Sequence, residues 1–168
     1  LPSLLPEQRY QVSYTNLNNR TDRLFYWATR QLAGYTAGSN VNIGNFDIAD
    51  LPLTAPADGA NLNPPVTFTW TPRPASPSDS YRLVIYDQDY DSLWGSELLG
   101  YTGSYTLTSL PGALATGVEY LWDVRLYAPD GAYGICYGVR TLEFSGSGGG
   151  MRPEAGAPVE EWTAPGKR

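Results

Sequence analysis

The chain contains no histidine. That removes the commonest general base, the commonest metal ligand and the usual partner of a nucleophilic serine or cysteine. Cysteine occurs once, at Cys136, so no disulfide can close within the chain. Set in Tyr-Gly-Ile-Cys-Tyr-Gly with no histidine to activate it, Cys136 reads as a small buried apolar residue. Lysine also occurs once, at Lys167. The arginines are scattered and the formal net charge is -6, which excludes the clustered basic surface that nucleic-acid binding requires. No apolar run approaches the ~20 residues of a membrane helix, so no membrane span is expected. Two carboxylates would suffice for a glycosidase, and Asp123, Glu97 and Asp130 are the residues to name for a small hydrolase of that kind. Nothing in their spacing distinguishes them from strand and turn residues. No enzyme activity and no cofactor are expected. Residue 1 is Leu, which leaves open a chain boundary or the processing of an exported protein.

What is present is aromatic residues, glycine and proline: 13 Tyr, 5 Trp, 18 Gly and 14 Pro in 168 residues, of which 42% are hydrophobic. Five alternating runs fall between Val66 and Phe144: 66–70, 81–86, 104–107, 119–127 and 139–144. In the first, Val66, Phe68 and Trp70 share one face. In the fourth, Tyr120, Trp122, Val124 and Leu126 face opposite to Glu119, Leu121, Asp123 and Arg125. Period two with β-branched and aromatic enrichment marks half-buried strands, and Pro, Gly, Ser and Asp clusters between them mark reversals. Two sheets that each bury one face bury it against each other. The fold class expected is all-β, an antiparallel β-sandwich over residues 53–145, with Phe68, Trp70, Tyr120, Trp122 and Phe144 in its core.

Residues 1–52 read as a partial N-terminal β segment with three strands, 10–14, 23–29 and 41–49, the last with a bulge at Gly44. Three strands are too few to stand alone. Three arrangements stay open: a fragment of a longer protein, strands packed on the side of the main sandwich, or completion by another chain through strand addition. Residues 146–168 open on Gly-Ser-Gly-Gly-Gly and continue Pro-rich, a linker and extended tail. Within it Val159 to Thr163 has the pattern of a strand that adds to a neighbouring sheet, with Trp162 as its anchor.

Pro56-Ala57-Asp58-Gly59, Trp70 at the end of a strand, Leu110-Pro111-Gly112 and Tyr120-Leu121-Trp122-Asp123-Val124 together carry a resemblance. Residues 53–144 resemble a fibronectin type III or related immunoglobulin-like repeat of bacterial secreted and cell-surface proteins. The resemblance implies a corner in which the Tyr120 hydroxyl bonds nearby backbone and Leu110 packs beside it, although Leu110 and Tyr120 stand further apart than that pattern has them. Residues 10–50 more loosely resemble the closing strands of a carboxypeptidase-regulatory-like (prealbumin-like) repeat.

Two sets of residues are candidates for a site. Asp87, Asp89 and Asp91 have the spacing that opens a calcium loop, but Ser92 stands where glycine is required and Leu98 where glutamate is required, with Glu97 one residue early. The EF-hand match fails, and an acidic turn between two strands is the plainer reading. The second set is the aromatics placed in connections, Tyr90, Trp94, Tyr101, Tyr133 and Tyr137, with Trp162 of the tail. Such residues add rigid contact area at interfaces and also stack on sugar rings; capping the ends of the sandwich is their structural alternative. The functional expectation is a non-catalytic extracellular or cell-surface module, structural or adhesive, with self-association or other surface proteins as partners and a surface filament as its assembled form. The alternative is a carbohydrate-binding or spacer module of a secreted polysaccharide-active enzyme, with glycans as partners.

Overall fold

The computed structural model describes residues 9–15, 24–31, 40, 42, 51–74, 76–136 and 139–146. The chain is all-β, and the described residues form strands without a helix: β1 (Ser13–Thr15), β2 (Leu24–Ala28), β3 (Leu53–Ala55), β4 (Ala60–Leu62), β5 (Val66–Trp70), β6 (Ser80–Tyr86), β7 (Ser92–Gly95), β8 (Ser104–Leu107), β9 (Glu119–Tyr127), β10 (Tyr133–Cys136) and β11 (Arg140–Phe144). No helix among them is long and apolar enough to cross a membrane. Apart from Asn42, the expected strand at 41–49 lies outside the described residues, as do Tyr137 and Trp162.

β9 organises the larger, mixed sheet. One of its edges pairs with β6 along Leu121 to Tyr127. The other edge is shared, β11 taking Glu119 to Trp122 and β10 taking Arg125 to Tyr127. β7 lies outside β6, and β4 pairs parallel with β11. The smaller sheet is antiparallel, in the order β3-β5-β8. The alternation read from the sequence decides what each sheet presents. In β5, Val66, Phe68 and Trp70 are buried while Thr67 is exposed. Phe68 meets Trp122 of β9 edge-on, with centroids 5.0 Å apart, and Trp70 meets Tyr81 of β6 at 5.9 Å. These contacts join the two sheets through one hydrophobic cluster that includes all five expected core aromatics.

Four strands carry no clear alternation and escape a reading of the sequence: β3, β4, β7 and β10. β4 is held by its neighbour. The turn before it puts Gly59 at φ 72°, and Asp58 accepts hydrogen bonds from the backbone N–H and hydroxyl of Thr141 on β11, at 2.7 and 2.9 Å. Those bonds, the backbone one first, hold the Asp58 carboxyl below its ordinary value. Two candidate aromatics are therefore in strands rather than connections: Trp94 in β7 and Tyr133 in β10.

The expectation of half-buried strands fails for β6 and β9, which are buried on both faces. Val84, Tyr86 and Leu121 form a second hydrophobic cluster on the other side of the large sheet, with Val139 packed against it. Asp123 is buried among them. Its charge is met by the Tyr86 hydroxyl, which lies 3.0 and 3.1 Å from the two carboxylate oxygens, and the Arg125 guanidinium donates in turn to Tyr86 Oη. A polar residue in an alternating pattern reads as solvent-facing, yet hydrogen bonding lets it lie inside.

The described N-terminal strands belong to the large sheet. β2 pairs antiparallel with β10, Tyr133 opposite Ala28 and Ile135 opposite Tyr26, and β1 continues outward from β2. Trp27 enters the main hydrophobic cluster at 2% exposure. Beside it, Arg73 is buried in a bidentate pair with Asp79, at 2.8 and 2.9 Å. The Tyr81 hydroxyl accepts from the Arg73 backbone N–H, and the Tyr101 hydroxyl donates to the Arg73 carbonyl.

Candidate functional site

Where β10 leaves the β9–β10 turn, Tyr133 stands directly opposite Tyr127, so the two side chains share a face of the sheet. Tyr133 also packs on Tyr26 of β2, with ring centroids 5.6 Å apart. The turn itself is tight. Ala128 N–H donates to the Ala132 carbonyl at 2.8 Å, Gly131 adopts φ 86°, and Asp130 Oδ1 accepts from the Ala132 N–H at 3.0 Å. Glycine suits this position because a side chain would be strained in the left-handed backbone.

Arg30 and Gln31 follow β2, and Gln11 precedes β1. Gln11 is fixed by donating to the Thr29 carbonyl at 2.9 Å, and Gln31 accepts from Arg9 at 3.2 Å. Arg30 donates from Nη2 to the Asn42 carbonyl at 3.2 Å. These three side chains, with Tyr127, Tyr133 and Asp130, line an open cleft of about 480 Å³. Its lining includes two aromatic rings, one cation, one carboxylate and two amides. The arrangement sets hydrogen-bond donors and acceptors beside two aromatic rings.

The other candidates are placed elsewhere. Asp87, Asp89 and Asp91 do not converge. Asp87 Oδ1 accepts from the backbone N–H of Asp89 and of Asp91, at 3.0 and 2.9 Å, closing the β6–β7 turn in which Tyr90 takes φ 67°. Among the described residues no three His, Cys, Asp or Glu side chains are grouped as metal ligands. The Asp87 carboxylate stabilises the turn, as an Asx turn does. Tyr90 is 51% exposed on that turn, at the end of β6 opposite to the cleft. Trp94 is half-buried against Tyr105, with centroids 5.9 Å apart. Tyr101 is spent partly on the Arg73 carbonyl. Among the described residues, Tyr133 of the aromatic candidates and Asp130 of the carboxylates line the cleft.

The named carboxylates also lie on separate elements: Asp123 inside β9, Glu97 exposed after β7, Asp130 in the β9–β10 turn. Asp123 is held up at about 7, chiefly because burial disfavours its charge, with Arg125 and Tyr86 pulling the other way. Cys136 is fully buried, and its Sγ donates to the Leu51 carbonyl at 3.4 Å. The Tyr120 hydroxyl accepts from the Ala115 N–H at 2.7 Å, while Leu114 rather than Leu110 is the buried leucine of that turn.

Sequence reasoning missed Gln11, Arg30, Gln31 and Tyr127 as members of a site. They converge only because β2 pairs with β10 across more than a hundred residues of chain, and no local signal carries that pairing. Comparison of the chain with protein-family models, with curated proteins and with solved structures found no match.

Proposed function

We propose that this chain is a non-catalytic extracellular module of the fibronectin type III or immunoglobulin-like sandwich kind, serving a structural or adhesive role at a cell surface and assembling by strand addition. The observation that carries this reading is the addition of β1 and β2 to the sandwich sheet through β10, sealed by Trp27. A sheet that accepts strands of distant sequence at its edge uses the same main-chain pairing by which surface subunits join. In this reading residues 53–145 are the sandwich, residues 1–52 extend it, and residues 146–168 reach a neighbour.

The test is light scattering on size-exclusion fractions, with negative-stain imaging of the same material. Fibres or a regular oligomer are expected, and they should be lost when residues 146–168 are removed. A monodisperse monomer at every concentration would sink the assembly reading.

The cleft supports a second reading, a glycan-binding module of a polysaccharide-active protein. Two tyrosines among polar lining side chains are what favour it.

A further inference from the structure

The cleft between the end of β2 and the β9–β10 turn also selects among ligands. We infer that it takes one pyranose unit of a neutral glycan, its C–H face on Tyr127 and Tyr133 and its hydroxyl edge held by Arg30 and Asp130. This assignment rests on the glycan-binding reading of the chain.

The charge pattern narrows the class. An anionic ligand would meet the Asp130 carboxylate, a cationic one the Arg30 guanidinium, and a wholly apolar one would strip water from both charges and from Gln11 and Gln31 without replacing those hydrogen bonds. A sugar ring avoids all three penalties. Each hydroxyl both donates and accepts, so neighbouring hydroxyls on one edge satisfy a guanidinium and a carboxylate together. The axial C–H groups of the ring are apolar and fit an aromatic face. The volume, about 480 Å³, falls within the ~300–1,000 Å³ of small-molecule sites.

The groups are also set before the ligand arrives, which lowers the cost of binding. Tyr133 is braced by Tyr26. Asp130 uses Oδ1 on the Ala132 N–H and keeps Oδ2 for a ligand, and Arg30 commits Nη2 to the Asn42 carbonyl and keeps its other N–H groups.

The experiment is amide NMR of the full chain titrated separately with cello-, laminari-, malto-, xylo- and chito-oligosaccharides. At least one series is expected to shift the amides of residues 127–133 and 30–31. Tyr133→Ala and Arg30→Ala should each weaken that binding about tenfold. Asp130→Asn, which retains an oxygen for the Ala132 N–H, should weaken it with the turn intact. Tyr90→Asn, at the far end of β6, should leave it unchanged. The inference is overturned if no series perturbs these amides. It is equally overturned if the shifts gather around Tyr90 or Tyr101 and the cleft variants bind as the parent does; glycan binding would then stand while this cleft would not. Assembly is read by light scattering and is independent of either result.

Discussion

The guanidinium carbon of Arg73 lies 4.8 Å from the centroid of the Trp27 ring while the same guanidinium grips Asp79 with two hydrogen bonds. Trp27 belongs to β2 and Arg73 to the link between β5 and β6, so a cation stacked on an indole joins the N-terminal strand to the link between the two sheets. All three residues are buried. An arginine inside a protein is tolerated when its charge is paired and its plane is stacked.

Asp79→Ala should therefore destabilise the fold by about 3–5 kcal/mol, because it removes the carboxylate that a buried guanidinium grips with two hydrogen bonds. Urea unfolding measures it. Trp27→Ala should cost a similar ~3–5 kcal/mol through the cavity it opens, and hydrogen exchange should rise first in β2 and β1 while β9 remains protected. Uniform exchange across both would mean that the N-terminal strands are not separately held by this contact.

Asp123 makes stability depend on pH in an uncommon direction. Its folded value is about 7, raised by burial, against 3.8 for the unfolded chain. Between those values the folded state binds the extra proton, so this group makes stability fall as pH rises from about 4 to about 7 and level off above. Asp123→Asn keeps an acceptor for the Tyr86 hydroxyl and cannot ionise. Its unfolding free energy should be flatter than that of the parent across this window, with the difference growing toward pH 7. Parallel curves for the two proteins would show that Asp123 ionises normally.

The hydroxyl of Tyr120 accepts the Ala115 N–H at 2.7 Å. Tyr120→Phe keeps the ring against Phe144, whose centroid is 6.3 Å away, and removes the acceptor alone. A loss of about 1–2 kcal/mol is expected, the cost of leaving a part-buried backbone donor unpaired. Thermal unfolding detects it, and the Ala115 amide should exchange faster. A loss well below that range would mean that water replaces the bond.

Much of the all-β fold could be read in the residues themselves. Val66, Phe68 and Trp70 against Thr67, and Tyr120, Trp122, Val124 and Leu126 in β9, are alternations that bury one face whatever the partner, since apolar area leaves water without regard to direction. The absence of histidine and the single cysteine likewise bound the chemistry before any fold was known. The short strands β3, β4, β7 and β10 were not legible, because three or four residues carry too little pattern and their backbone groups are satisfied by neighbours distant in sequence. Asp123 misled for a related reason: its partner Tyr86 lies on another strand, and only that hydrogen bond makes its burial tolerable.

The sequence by itself determined the all-β class, the core aromatics of the main strands and the turn at Asp87. Only the tertiary structure decided that β2 joins β10, that Trp27 stacks on Arg73, and that Gln11, Arg30, Asp130, Tyr127 and Tyr133 meet around one cleft. Periodicity is a local property and records which face of a strand avoids water. Which strand lies beside which is settled by long-range pairing and by the closing of buried polar groups on one another, and neither leaves a mark within a single stretch of chain.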